Sequence, residues 1–382
     1  MKKAWIVFVT GLFLMFGSFQ VEQIYAESTE EDLLVEEFLD EDGIKEMQQM
    51  LEEQLPNTSF SMSEYIKQLI FGEQPFSITD VGNTIKEAVM EEITANTNLW
   101  KQCFFIALIA AFFSNFVMMF QNKQVGETGY YIGVLLLFSL LITAFVGVFS
   151  VAEKMLTMLV TFMKVLLPVY FMLTAASSGQ SVASGGYQLA LLVVTLVDYM
   201  IKAVLLPAVK IYFFTVLINQ LSKTDKFSKF LELLDTGIRW TMKGLLGLVT
   251  GLNVVQGLLL PGVQKVKQNA FLKTGASIPV VGDLFTGVTE TVLSVLSLLR
   301  NAVGVAGVVT MLLLCFIPLI KLVVYALVFR AEAALLQPMG GGQICECMTG
   351  VSKTAGFLLY LEFVSMLLFG ITILILSFSL GG

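Results

Sequence analysis

Six ionisable side chains interrupt the most apolar runs of this sequence, and they are its best candidates for chemistry. A charge at the centre of a bilayer costs about 2.5–3.5 kcal/mol even on a lenient insertion scale, so such residues tend to face protein or water. They are therefore candidates for lining a polar path, for pairing with one another or for contacting a partner subunit. The six are Lys164, Asp198, Lys202, Lys210, Lys321 and Glu362.

Two of these lysines share a local motif. "LLPAVKIYFF" (205–214) and "FIPLIKLVVY" (316–325) each place a lysine three residues after a proline, at an offset of 111 residues. Proline removes a backbone donor and opens the helix locally, so Pro207 and Pro318 are candidate hinges. Lys321 lies deep in an apolar run, which favours a buried role in a conduit or partner contact. For Lys210, snorkelling to the membrane interface is an open alternative.

The residue types in this sequence give little support for an enzymatic function. Histidine is absent from all 382 residues, which removes the commonest general base and metal ligand. Cys345 and Cys347 form a single Cys-x-Cys pair, which without a second pair or a histidine is a weak metal signal. No serine- or aspartate-based catalytic motif is evident. We therefore expect a non-enzymatic protein with no metal and no cofactor.

The composition is that of a polytopic membrane protein. Hydrophobic residues make up 56% of the chain and charged residues 14%, against about 25% charged in soluble domains. Long apolar runs without strand-like alternation predict an all-α helical bundle. Matches such as "LPV" at 167–169 and "IPV" at 278–280 repeat the 111-residue offset and predict an internal duplication.

The N-terminal region predicts export. Residues 1–26 have two lysines, an apolar core and an Ile-Tyr-Ala cleavage site, as in a signal peptide, although an uncleaved anchor is the alternative. Residues 27–98 are acidic, and 27–94 hold 18 of the 30 Asp and Glu residues with only three lysines. Recurrent apolar stripes within them predict a small helical extracytoplasmic domain.

The remaining chain predicts a series of membrane segments. Residues 100–152 form two transmembrane helices, with a turn at 152–154; repeat 1 covers 153–264 and repeat 2 covers 265–382. A serine–glycine loop is expected at 177–186. Residues 187–221 are one tilted helix or a hairpin bent near Pro207, and charge favours the hairpin. The basic segment 223–243 is expected to be an amphipathic helix at the cytoplasmic face.

Three consecutive glycines follow the apolar run that contains Lys321. Gly340, Gly341 and Gly342 predict a flexible turn or a close backbone approach, and they do not form a phosphate-binding loop because no Gly-Lys-Ser/Thr follows. Arg330 and Glu332, just before the turn, are expected to anchor it at the interface.

Several of these stretches resemble the stage III sporulation protein AE family of endospore-forming bacteria. The resemblance is most specific from Ser277 to Lys353, which includes "SIPVVGDLFTGVTETVLSVLSLLRNAVGVAGVV" and "RAEAALLQPMGGGQICECMTGVSK". The loop "AASSGQSVASGG", the signal peptide and the acidic segment agree with it.

That resemblance implies a mother-cell protein in the outer membrane around the forespore, with its acidic segment in the intermembrane space. It implies three kinds of partner: other stage III A sporulation proteins, a mother-cell ATPase and a forespore membrane partner. Together they would form a channel or export apparatus that is needed for late forespore gene expression. A stand-alone secondary transporter and an assembly scaffold are the alternatives that the residues leave open.

Overall fold

The structure is a computed structural model of the chain. It describes residues 35–36, 38–39, 41–54, 60–71, 78–116, 123–178, 180–221, 226–275, 282–339 and 342–379. The expected signal peptide and the glycines at 340 and 341 lie outside these residues.

Every regular element in the described part of the chain is helical, which confirms the all-α prediction. A π-helical turn, Ile201–Leu205, joins α5 to α6, and a short 3₁₀ turn, Gln337–Met339, follows α8. The helices are α1 (Asp42–Gln54), α2 (Met62–Phe71), α3 (Ile78–Phe116), α4 (Lys123–Ser178), α5 (Gln180–Met200), α6 (Leu206–Leu221), α7 (Ser228–Gly275), α8 (Gly282–Leu336) and α9 (Gly342–Ser379).

Four helical stretches among the described residues are long and apolar enough to cross a membrane. They are Glu127–Ser177, Ala183–Asn219, Ser294–Leu336 and Ile344–Ser377. The chain is therefore a multi-pass membrane protein. The stretch in α9 is 67% buried, against 39–50% for the other three, so α9 forms the centre of the bundle.

The turn expected at 152–154 is wrong, because α4 continues through it without a break. Ala, Glu and Lys are good helix formers, and nothing in this stretch breaks the backbone ladder. Ala152 is fully buried while Glu153 and Lys154 are exposed on the other side of the helix. One long helix can thus present two charges at its surface without turning.

The hairpin expected near Pro207 is also wrong, and the tilted-helix alternative is correct. α5, the π-helical turn and α6 form one continuous helix, in which the Leu206 N–H bonds to the Ile201 carbonyl. Proline lacks an N–H and its ring crowds the preceding turn. A widened π turn just before Pro207 accommodates this within a continuous helix.

The serine–glycine loop expected at 177–186 is shorter than predicted. α4 ends at Ser178 and α5 begins at Gln180, so most of the stretch is helical. Its two glycines, Gly185 and Gly186, lie inside α5. Tertiary packing overrides their weak helix propensity, since Ala183 beside them is buried.

The helices around α9 alternate in direction. The Ser352 hydroxyl of α9 donates to the Ala326 carbonyl of α8 at 2.7 Å, and Ser377 lies against Gly304, so α8 and α9 are antiparallel. α6 is also antiparallel to α9, because Val216 lies against Gly350 while Tyr212 packs on Phe357.

α7 runs parallel to α9. Asp235 pairs with Lys353 at 3.2 Å, and Asn253 donates to Thr372 at 3.0 Å. The α6–α7 and α8–α9 pairs therefore have the same sense, as a parallel duplication requires. The duplication itself stays a prediction.

The acidic N-terminal helices lie along the outside of the bundle. α1 and α2 pack against α4 and α8, with Gly43 touching Val169. A groove of about 530 Å³ remains between α1 and α4. It is lined by Met50, Glu53, Gln54, Ser150, Glu153, Lys154, Thr157, Met158 and Thr161.

Candidate functional site

Two candidate lysines outside any described ion pair lie on the outer surface of the bundle. Lys164 of α4 and Lys210 of α6 are both exposed. The Lys210 ammonium lies 4.1 Å from the centroid of the Phe149 ring, a cation–π distance. Neither lysine points into the interior of this chain.

Asp198 pairs locally with the sixth charge of the apolar runs. Its carboxylate lies 2.7 Å from the Lys202 ammonium, one helical turn further on, and the two side chains are 27% and 41% exposed. This pair spans the start of the π-helical turn.

The two equivalent Pro-x-x-Lys motifs occupy different environments. Pro318 is buried and Lys321 is half-buried on α8, whereas Pro207 and Lys210 are exposed on α6. The difference follows from packing, because α8 lies between α4 and α9. Gly342 is the first residue of α9, and the role of the triple glycine as a hinge stays a prediction.

Glu362 is the most deeply buried of the candidates. Its side chain is 0% exposed, and neither carboxyl oxygen has a hydrogen-bond partner among the residues that the structure describes. It lies near Cys315 of α8. An ionisable group without a fixed partner thus occupies the core of the bundle.

Three further buried polar residues were not among the sequence candidates. Arg300 of α8 is 1% exposed and donates to the Ser177 hydroxyl at 3.2 Å. Asn253 links α7 to Thr372 of α9. Arg300 is a charge within the apolar run "LSLLRNAVG". The search for charges within apolar runs, which identified the six candidates, would therefore have identified Arg300 too.

The third of these residues is Glu332. Its role as an anchor at the membrane interface stays a prediction, and the structure buries it to 7% exposure beside Cys103 of α3. The reason is that α3 packs along α8 there. Only Arg330 of the expected pair is exposed.

Cys345 and Cys347 do not face one another. Both lie in α9, where residues two apart project from different sides of the helix. Cys345 is half-buried and Cys347 is buried. Their positions fit packing rather than chelation.

A charge cluster joins the basic segment of α7 to α9. The Asp235 carboxylate accepts a hydrogen bond from Arg239 at 3.0 Å and pairs with Lys353 at 3.2 Å. The same two cations lie over the Phe357 ring, at 5.2 and 5.8 Å from its centroid. One carboxylate therefore pairs with two cations at this helix contact.

Reversing that charge should loosen α7. Asp235→Lys brings three cations together, and we expect a loss of about 1.5–3 kcal/mol of unfolding free energy, the range for hydrogen bonds to charged groups. Thermal unfolding in detergent measures it. Lys353→Glu in the same chain should recover most of the loss, and an unrescued double variant would refute the pairing.

Comparison with known proteins gives one consistent result. The family model "Stage III sporulation protein AE" matches residues 60–379. The Stage III sporulation protein AE of Bacillus subtilis (strain 168) is 24% identical over 318 residues, which cover 82% of this chain and 80% of that protein. No solved structure matches.

Proposed function

The chain belongs to the stage III sporulation protein AE family, and we propose that it is a non-enzymatic membrane subunit of a channel or export apparatus that connects mother cell and forespore. The observation that carries the proposal is the extent of the family match. It begins just before α2 and ends with α9, so it contains all four apolar stretches. The subunit would sustain late forespore gene expression.

The packing supports a conduit formed between chains rather than through one. Large side chains of α9, including Phe357, Leu358 and Phe369, are buried at 0–2% exposure against the surrounding helices. Lys164 and Lys210 face outward. We propose that these lysines and Lys321 meet partner subunits: other stage III A sporulation membrane proteins, a mother-cell ATPase and a forespore membrane partner.

The directions of the helices support one orientation in the outer forespore membrane. With the acidic segment in the intermembrane space, and with α3 crossing the membrane as the sequence predicts for residues 100–152, α3 runs inward, α4 outward and α5–α6 inward. The start of α7, with Lys226, Lys229, Arg239 and Lys243, then faces the mother-cell cytoplasm, as the positive-inside rule favours. Each of the two predicted turns, at 152–154 and at Pro207, would have added one membrane crossing. Because both turns are absent, the number of crossings falls by two and the start of α7 stays on the same side.

A membrane scaffold without its own conduit is the second candidate. The observation that favours it is the outward exposure of Lys164 and Lys210, which suits docking of partner helices as well as lining a shared path. A stand-alone transporter has less support, because the buried Glu362 has no acidic counterpart in the first half at the predicted repeat offset of 111 or 112 residues, where Gly251 and Thr250 stand.

Replacing Lys321 tests whether the motif contacts a path or a partner. We expect Lys321→Leu to lower late forespore reporter expression by about tenfold or more, the effect of losing roughly 1.4 kcal/mol of partner binding. Adding Lys210→Leu should lower it further. Protein level and membrane location are checked by immunoblotting of sporulating cells.

Lys229→Leu is the matched control, since that lysine is 91% exposed on α7 and pairs only with neighbouring Glu232 among the contacts described. It should leave expression unchanged. Normal expression in the Lys321 variants, with the protein intact, would reduce these lysines to interfacial anchors and favour the scaffold.

A further inference from the structure

Among the residues that the structure describes, no side chain or backbone group donates a hydrogen bond to the carboxyl group of Glu362. Leu361, Phe363 and Val364 beside it in α9 are buried apolar residues. Ser365, one turn further on, donates its hydroxyl to the Leu361 carbonyl at 2.8 Å, so that hydrogen is already committed. Cys315 of α8, a titratable neighbour, is fully buried and carries no positive charge.

The cations of the neighbouring helices are engaged or placed elsewhere. Lys353 of α9 and Arg239 of α7 pair with Asp235, and Lys210 of α6 lies over Phe149. On α4, the charges Glu153 and Lys154 line the outer groove. On α8, Lys321 is six residues from Cys315, about 9 Å along the helix.

An ionised carboxylate in this position would be expensive. Taking one ion out of water into a protein interior costs several kcal/mol unless a partner and hydrogen bonds compensate. A neutral carboxylic acid avoids that cost because it carries no net charge. Glu346, on the same helix, is exposed and has no such constraint.

We propose that Glu362 is a proton-binding site in the core of the bundle. In the packed bundle the side chain is a neutral carboxylic acid. Deprotonation requires water to reach this site: the O–H bond then breaks, the proton passes to water and a carboxylate remains. The site stands on the packing around Glu362 alone, so it is independent of the sporulation role and would hold equally in a scaffold.

Infrared difference spectroscopy of the purified full-length protein in lipid nanodiscs tests this directly. A protonated carboxylic acid has a C=O stretching band separate from the antisymmetric stretch of a carboxylate. Subtracting the Glu362→Gln spectrum at neutral pH should show the loss of one carboxylic-acid band. Glu346→Gln is the matched control and should lose carboxylate absorption only.

Exchange is tested by transferring the same samples to D₂O, where the Glu362 band should shift as its proton is replaced by a deuteron. A second variant, Glu362→Leu, should lose the same band and remain folded, which protects the result against an unstable glutamine variant. Loss of a carboxylate band in both Glu362 variants would overturn the proposal, and sodium dependence of that band would assign a cation instead. A band that never shifts in D₂O would overturn the exchange.

Discussion

A valine at Gly350 should destabilise the bundle by about 1–3 kcal/mol, the usual cost of overpacking a filled core. A Cβ atom added at this glycine overlaps the side chain of Val216 on α6. Both residues are buried, and valine cannot turn both of its methyl groups away. The α6–α9 contact must therefore open, and thermal unfolding in detergent should move down by several degrees.

Two companion variants make this prediction specific. Gly356→Val lies six residues further along α9, where an added Cβ meets nothing within 4 Å, and it should cost far less. Val216→Ala combined with Gly350→Val should recover part of the loss, because it frees the overlapped space. Equal losses at 350 and 356, or no rescue, would mean that α6 and α9 are not in close contact.

The helical class and the intramembrane charges could be predicted because each depends on composition over a short window. Glu362 was found in this way, as a charge within an apolar run, and the structure places it in the core. The same rule applies to Arg300. What the rule cannot supply is the partner: the contact of Arg300 with Ser177 joins residues 123 positions apart.

Chain direction was less predictable, because a proline or a pair of charged residues can either mark the end of a helix or lie within a continuous one. Pro207 ends many helices, yet here a π-helical turn keeps the helix continuous. Glu153 and Lys154 read as a polar turn between two spans, yet they occupy one exposed face of α4. Tertiary packing decides such cases. Here the packing of the buried Ala152 keeps α4 continuous.

Sequence repetition also does not determine environment. The motifs at Pro207 and Pro318 share their spacing, but α6 lies at the edge of the bundle while α8 is enclosed by α3, α4 and α9. Lys210 is consequently exposed and Lys321 half-buried. We expect Lys321→Leu to have the larger functional effect for this reason.

We expect the largest functional effect when the chain is removed from the mother cell or produced only in the forespore. If it is a mother-cell membrane subunit of the apparatus, deletion should abolish late forespore gene expression. A copy produced only in the mother cell should restore it. Production only in the forespore would place the chain in the wrong membrane, with its acidic N-terminal segment entering the intermembrane space from the other side.

Compartment-specific complementation of the deletion therefore tests the central claim most directly, with a late forespore reporter scored cell by cell. The account predicts full reporter expression with the mother-cell promoter and none with the forespore promoter, at equal protein levels. Normal expression in the deletion strain, or rescue from the forespore alone, would contradict it.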